Sequence, residues 1–375
     1  MGSAIAYDMI KCKDVSEVMV ADLDEKKLSE FVNKMQSEKL SMKKIDVSNH
    51  DSLVELIKGF DVVANALPHR FSVSADKASI EAHVDVVSLS FEDEQMPLAN
   101  AAERAGITFI PGCGVAPGLT HILAGHGIEQ LEKTEEIHMM CGGIPQNPKP
   151  PLFYQTVFTM EGTWGLYTKS PRVIVDGQEK VLPPMSGRKK EAFPEPFGEL
   201  ERFYTDGLAT LLYTGKGVRN MYESTLRWPG HLDRIQTLID CGLLENKPIN
   251  IDGCDVIPRA FLSKLLRPAL ETGVKDVTLI RTIVSGKKER LNLKYTYDII
   301  DYYDEKNDIT SMARTTGYTC SIACQMIGRE EIKAKGLVPP EKAFEGELFD
   351  RFIDELAKRN IRIQETVTTA RYVEK

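Results

Sequence analysis

Two residues near the start of the chain carry its first chemical signal. Met1-Gly2-Ser3-Ala4-Ile5-Ala6 runs directly into a helical pattern, and Asp22 closes the apolar stretch Val18-Met19-Val20-Ala21. In a dinucleotide-binding βαβ unit the third glycine of G-x-G-x-x-G opens the helix. An acid about twenty residues on then hydrogen-bonds the adenosine ribose diol. Gly2 fits that glycine, which lets helix and strand pack closely, and Asp22 fits that acid. A carboxylate there repels the 2′-phosphate of NADP, so Asp22 favours NAD, while Lys26 and Lys27 nearby pull the other way. A turn aspartate with no ligand is the alternative. A third piece, Asn65-Ala66-Leu67-Pro68, closes a later strand where an open α/β sheet forms its ligand crevice. The strand before Gly2 and the first two glycines are absent from the sequence, so an N-terminally truncated dinucleotide domain is expected.

The elements needed to position these residues alternate along the first third of the chain. Helical patterns run over Ala4–Cys12, Glu25–Met35, Asp51–Lys58 (capped by Asn49 or Asp51), Ser72–Ala82 and Pro97–Ala105. Strand patterns run over Val18–Ala21, Met42–Val47, Asp61–Ala66, Val84–Leu89 and Thr108–Ile110. That alternation predicts βαβ units and a parallel sheet. After about Leu131 the pattern changes to longer strands over Glu136–Met140, Leu152–Phe158, Arg172–Val175, Val277–Val284 and Leu291–Tyr297. Turns are expected at Gly142-Gly143, Asp176-Gly177 and Gly286-Lys287, and helices at His231–Asp240 and Pro258–Leu270. Helical patterns return over Thr310–Lys333 and Phe344–Arg359. The fold class read from this is α/β: a Rossmann-type parallel sheet, its first strand missing, plus an α+β substrate domain with a mainly antiparallel sheet. The dinucleotide domain takes residues 1–125 and 305–375, and the substrate domain 126–304.

Composition removes several classes of function. The formal net charge is −8 with acids and bases intermixed, which argues against a nucleic-acid partner. No apolar run reaches the length of a membrane span, and the first residues lack the pattern of a secretory signal. Seven scattered cysteines suit a reducing cytoplasm better than a disulfide framework. None lies at zinc-ligand spacing, so no metal is expected.

Several stretches taken in order resemble the saccharopine dehydrogenase family, especially its lysine 6-dehydrogenase branch. They include Met1 to Ala6, Asn65 to Pro68, Pro111-Gly112-Cys113-Gly114-Val115-Ala116-Pro117-Gly118 and Cys141-Gly142-Gly143-Ile144-Pro145. Further matches are Tyr204-Thr205-Asp206-Gly207, Thr225-Leu226-Arg227-Trp228-Pro229-Gly230-His231, Thr316-Gly317 and Gly336-Leu337-Val338-Pro339-Pro340-Glu341. The resemblance implies a Rossmann domain completed by C-terminal helices, with Thr316 beside the cofactor. It also implies NAD(P)-dependent chemistry at a carbon–nitrogen bond of an amino acid, and a homodimer is expected. Oxidative deamination of lysine is the leading expectation. Saccharopine or carboxynorspermidine-type chemistry and an inert nucleotide-sensing homologue are the alternatives. Ser88 and Ser90 flank Leu89 where such proteins often carry an aspartate, which leaves the substrate open.

An amino-acid substrate needs a cation for its carboxylate and an acid or base for its nitrogen. Arg227 is the candidate carboxylate anchor, and an interdomain ion pair is its other reading. His231 is read either as a base or water-orienting group or as a structural histidine at a helix start. Asp206 is read as an ammonium partner or as a turn aspartate before Gly207, and Glu161 is open to the same two readings. His121 and His126 are read as packed or solvent-facing. Cys113 is read as a small residue in a glycine-rich turn, since no partner base accompanies it.

Overall fold

The computed structural model describes residues 1–271, 273 and 275–371. In the N-terminal third helices and parallel strands alternate. They are α1 (Gly2–Lys11), β1 (Val18–Asp22), α2 (Glu25–Met35), β2 (Leu40–Lys44), α3 (His50–Ile57), β3 (Val62–Asn65), α4 (His69–Glu81), β4 (Asp85–Ser88), α5 (Ala99–Ala105) and β5 (Thr108–Ile110). The helix starts follow side-chain chemistry. Asp24 accepts the Lys27 N–H, and Asn49 accepts the Ser52 N–H, satisfying backbone donors that a helix leaves open. The parallel strands form two separate sheets, β1–β2 and β3–β4–β5, with no described strand hydrogen-bonded between β1 and β3.

Past α6 (Leu119–Glu129) comes the long strand β6 (Lys133–Pro145), then α7 (Met160–Thr168), β7 (Arg172–Val175), β8 (Gln178–Val181), β9 (Lys189–Ala192) and β10 (Glu199–Tyr204). Next are α8 (Leu211–Thr214), β11 (Asn220–Arg227), α9 (His231–Asp240), the hairpin β12 (Ile249–Ile251) and β13 (Cys254–Val256), and α10 (Pro258–Leu270). The chain closes with β14 (Asp276–Lys288), β15 (Leu291–Tyr302), α11 (Ser311–Gly328), β16 (Gly336–Leu337), α12 (Pro340–Ala343), α13 (Glu347–Lys358) and β17 (Gln364–Ala370). A nine-stranded sheet orders β17-β15-β14-β6-β11-β10-β9, with β7 and β8 branching from β11. Every pairing in it is antiparallel except β6 with β11. Among the described residues no helix is long and apolar enough to cross a membrane.

Helix α11 joins the halves. It is buried almost all round, packing on α1, β3 and β4 at one side and on β14 and β15 at the other. Asp276 at the start of β14 fixes its first turn by accepting the Ser311 and Met312 N–H groups at 2.8 and 2.9 Å. Gly317 lets α1 come close: a Cβ there would lie 3.1 Å from the Ala4 Cβ and 3.3 Å from the Met1 carbonyl. A Cβ on Gly2 would meet only the Ala66 Cβ, at 3.6 Å, an ordinary contact. The tight glycine at this crossing is therefore Gly317, not Gly2. β16 extends the four-stranded parallel sheet beside β5, whereas β17 lies at the edge of the large sheet.

Four expected features differ. Residues Leu152 to Phe158 form no strand; Pro150 and Pro151 precede them, and Phe153 takes a positive φ of 54°. The apolar spacing there reflects Leu152 and Tyr154 reaching into the core from a loop. Gly142 and Gly143 lie inside β6 rather than at a turn. Gly142 sits opposite Leu226 of β11, where a Cβ would approach the Leu226 Cβ to 2.6 Å, and Gly143 makes room for Met312 and Val157. Gly286 likewise lies within β14, at a register shift beside Lys133. β2 also begins two residues earlier than its hydrophobic pattern suggested and ends at Lys44.

Candidate active site

The dinucleotide crevice is built at the C-terminal ends of the parallel strands. Gly2 opens α1 against Ala66, and the first N–H groups of a helix face an anion without intrahelical partners. Asp22 ends β1 with its carboxylate exposed; one oxygen accepts the Asp24 N–H at 2.9 Å. The neighbouring lysines each have an acid of their own: Lys27 with Asp24, Lys26 with Glu30, and Lys44 with Glu25. A helix start beside an exposed acid at a strand end could hold the adenosine half of a nicotinamide dinucleotide.

Asn65, Leu67 and Pro68 shape the crevice from inside. The Asn65 amide donates to the buried Asp76 carboxylate at 2.8 Å and to the Ser72 carbonyl at 3.0 Å, while its oxygen accepts the Leu67 N–H. Pro68 caps α4. Asp76 also accepts from Ser88 and, at 2.6 Å, from Gln95, so one carboxylate ties the ends of β3 and β4 to the following loop. Burial raises the Asp76 pKa, against the pull of those donors. No sequence pattern pointed to Asp76, because its partners meet only in the fold. Thr316, in the second turn of α11, lies beneath Gly114, where a Cβ would come within 3.2 Å of its methyl group. Cys113 and His121 are fully buried. Burial pushes the Cys113 thiol well up, and His121 is committed to the Gly118 N–H and the Leu208 carbonyl. His126 stacks on Phe349 with ring centroids 3.7 Å apart.

The second group of polar residues hangs from the middle of the large sheet. Glu223, Thr225 and Arg227 occupy alternate positions of β11 and so share one face. Register places Cys141 of β6 beside Thr225, and Thr205 follows β10 on the same side. Arg227 is 2% exposed. Its Nε–H donates to the Tyr167 hydroxyl at 2.8 Å, its Nη1 donates to the Leu226 carbonyl at 2.8 Å, and the Tyr154 ring lies 4.7 Å below the guanidinium. Tyr167 lies 2.8 Å from His231 Nε2, and His231 Nδ1 donates to the Leu152 carbonyl at 2.7 Å. A carbonyl only accepts, so Nδ1 carries the hydrogen and the neutral ring accepts from Tyr167. Burial, with the Arg227 charge adding to it, lowers the His231 pKa to about 3. Nδ1 is thereby committed to the Leu152 carbonyl and Nε2 to Tyr167, which in turn holds Arg227.

Glu223, which no motif had singled out, is the other buried charge-bearing group. Its Oε2 accepts the Thr205 hydroxyl, and Thr205 lies 3.0 Å from the Thr225 hydroxyl. Burial raises the Glu223 pKa to about 8 despite that hydrogen bond, with Asp206 adding to the rise and Arg227 opposing it. Burial likewise moves the Cys141 thiol to about 12. Alternating Glu, Thr and Arg in an otherwise strand-like stretch was the available signal.

Asp206 lies at the edge of this cluster but is paired outside it, and Glu161 stands apart. Asp206 takes the Arg172 guanidinium at 3.0 Å and the Arg172 N–H at 3.2 Å; Arg172 also reaches Asp93 at 2.7 Å, across the two halves. Glu161 is exposed and pairs with Arg259 at 3.1 Å. A cleft of about 220 Å³ opens beside Tyr154, lined also by Pro145, Asn147 and Lys149. A larger one of about 280 Å³ lies between α6, α8 and α12, away from both groups of residues. Among the described residues no three His, Cys, Asp or Glu side chains gather as a metal site would require.

Comparison with known proteins decides the family. The family model for the saccharopine dehydrogenase NADP-binding domain matches residues 1–110, and that for the saccharopine dehydrogenase C-terminal domain matches residues 114–361. The chain belongs to the saccharopine dehydrogenase family. Members of this family are NAD(P)-dependent oxidoreductases acting on CH–NH donors. Saccharopine dehydrogenase [NADP(+), L-glutamate-forming] of Schizosaccharomyces pombe is 22% identical over 91% of this chain and 91% of its own length. Carboxynorspermidine synthase of Vibrio alginolyticus is 25% identical, covering 91% of this chain and 90% of its own. In fold the chain matches apo saccharopine dehydrogenase (L-Glu forming) from Saccharomyces cerevisiae, with a TM-score of 0.80 at 21% identity over 98% of this chain and 97% of that one. The saccharopine dehydrogenase fold thus accounts for the Rossmann-type half and the large mixed sheet together.

Proposed function

We propose that this family member transfers hydride between a nicotinamide dinucleotide and the C–N bond of an amino acid whose carboxylate is held by Arg227. The single supporting observation is the state of that guanidinium. It is buried, stacked on Tyr154 and steered by Tyr167, yet no described carboxylate pairs with it. A buried cation without an anion is costly by several kcal/mol, and a substrate carboxylate removes that cost through a fork-shaped pair of hydrogen bonds. His231 serves as the positioning group that keeps Tyr167 and Arg227 in register.

A secondary amine of the saccharopine type is the substrate class we favour, supported by the names of the relatives. Lysine itself is the second reading. The dinucleotide supplies the hydride acceptor or donor; Asp22, with no described lysine paired to it, favours NAD on the ribose side, although the family model is named for NADP.

The test is turnover of a substrate panel with NAD and NADP: saccharopine, lysine, and diamines lacking a carboxylate. Arg227→Lys keeps the charge and loses the fork, so turnover of carboxylated substrates should fall roughly ten- to a hundredfold, about 1.5–3 kcal/mol, with dinucleotide affinity unchanged. Loss of equal size for carboxylate-free diamines would make Arg227 structural. No reduced dinucleotide formed with any amine would remove the reading altogether.

A further inference from the structure

We propose that Glu223 is the group that exchanges a proton with the substrate nitrogen. This inference rests on the reading of Arg227 as carboxylate anchor and extends it to the reacting end of the same substrate.

Three observations place Glu223 there. It shares a strand face with Arg227, at positions 223 and 227 of β11, so both side chains project to the same side of the sheet. Each is more than nine-tenths buried, and each keeps one polar atom without a hydrogen-bond partner among the described residues: Oε1 of Glu223 and Nη2 of Arg227. Neither of these atoms is among the fully enclosed polar atoms lacking a partner, so each keeps a little accessible surface. An unsatisfied carboxyl and an unsatisfied guanidinium on one buried face form complementary ends for an amino acid.

The local hydrogen bonds also orient the carboxyl. Thr225 can donate to Thr205, and Thr205 donates to Glu223 Oε2. Oε2 is thereby occupied, and a neutral carboxyl carries its proton on Oε1, the free atom. Gly207 makes room for this side chain, since a Cβ at that position would lie 2.8 Å from the Glu223 carboxyl carbon. The titratable and charged groups facing Glu223 are Arg227 on its own strand, Asp206 after β10 and Cys141 on β6. Asp206 is itself paired with Arg172. Burial, the largest influence, keeps the carboxyl protonated near neutrality, which suits a donor.

In imine reduction the Glu223 O–H bond breaks and an N–H bond forms on the substrate. The substrate carbon gains the hydride, and the reduced dinucleotide loses two electrons. In amine oxidation the carboxylate takes the N–H proton as the hydride leaves carbon, so the oxidative direction should require the deprotonated form and rise with pH through about 8.

Glu223→Gln keeps the shape and cannot transfer the proton. The expected result is a fall in kcat of about a hundredfold or more, with loss of the ionisation near pH 8 from the rate profile. Amino-acid binding measured by calorimetry should stay within about threefold, because Arg227 still holds the carboxylate. A separate readout needs no turnover: infrared difference spectra of the wild type should show a protonated carboxyl band that titrates between pH 7 and 9 and is missing from the variant. Retained kcat in Glu223→Gln, or an unchanged pH profile, would overturn the assignment, as would absence of the titrating band. If the wild type turns over no amine at all, the reading of Arg227 fails first, and the band alone then cannot rescue the role of Glu223.

Discussion

Asp22 ends β1 with its carboxylate in solvent, whereas Glu223 and Arg227 share a buried face of β11. The same contrast runs through both halves of the molecule. In the parallel half the groups offered to a ligand are strand ends, a helix start and an exposed acid. In the half built on the nine-stranded sheet they are buried side chains held by hydrogen bonds to their neighbours. Strand-end groups draw on backbone geometry and water, so their neighbours can vary. These buried groups have protonation states imposed by burial: about 3 for His231 and His138, about 8 for Glu223, and about 12 for Cys141. The lesson is that the ligand chemistry of the large sheet is coupled to its stability through protons.

That coupling gives the largest expected effect. His138, buried beside Ser224 and the rings of Tyr204 and Tyr222, stays neutral down to about pH 3, chiefly through burial and then through Arg202. An unfolded histidine titrates near 6.5, so between about pH 3 and 6.5 the unfolded chain binds the extra proton, and stability falls as pH drops. Glu223 works the other way. The folded chain keeps its proton up to about pH 8, so stability falls as pH rises from about 4.5 to 8. Denaturant melts at pH 5 and 7 should show these slopes separately. Relative to wild type, His138→Asn should shrink the gain in stability from pH 5 to 7 by about 2 kcal/mol, and Glu223→Gln should enlarge it by a similar amount. Two variants that leave the difference between the pH values unchanged would break the contrast between the halves.

How much of this was legible in the sequence follows the same division. Amphipathic helices were plain: Glu25–Met35, His231–Asp240 and Pro258–Leu270 fall where periodicity puts them. The short parallel strands were also legible, because fully or half-buried strands read as apolar runs between helices. Arg227 and His231 stood out as candidates four residues apart, and the fold links them through Tyr167. The large sheet was harder to read. Gly142, Gly143 and Gly286 resemble turn residues locally, but a long-range neighbour, not the local chain, requires them. β17 is exposed along its whole length, so Gln364–Ala370 carries no alternation to read. Glu223, Tyr167 and Asp76 gain their roles from partners tens of residues away, which spacing along one chain does not reveal.

The next effect concerns the strand-end side of the comparison. If Asp22 holds the ribose diol, Asp22→Ser should weaken NAD about ten- to a hundredfold, roughly 1.5–3 kcal/mol, and NADP by clearly less. Its exposure implies little change in melting temperature. Binding titrations of both dinucleotides to wild type and variant measure this; equal losses for the two would mean that Asp22 does not touch the ribose.

The smallest effect separates the halves at two glycines that a motif reader would treat alike. Gly2 opens α1 in the crevice, and a methyl group there would meet the Ala66 Cβ at 3.6 Å, a distance at which side chains ordinarily pack. Helix propensity even favours alanine at such a position by a few tenths of a kcal/mol. Gly142 lies mid-strand in β6, where a methyl group would come within 2.6 Å of the Leu226 Cβ and 2.8 Å of its carbonyl. Leu226 is fully buried and its backbone belongs to the β6–β11 ladder, so neither side can yield without disturbing the strand that carries Glu223 and Arg227. Overpacking of this kind costs about 1–3 kcal/mol. Gly142→Ala should therefore lower stability by about that amount and reduce turnover by shifting β11, whereas Gly2→Ala should change stability by less than about 0.5 kcal/mol. Equilibrium denaturation of both variants provides the measurement. A Gly2→Ala loss as large as that of Gly142→Ala would show that the helix start is as tightly packed as the buried sheet, and the division between a tolerant crevice and an intolerant strand face would fall.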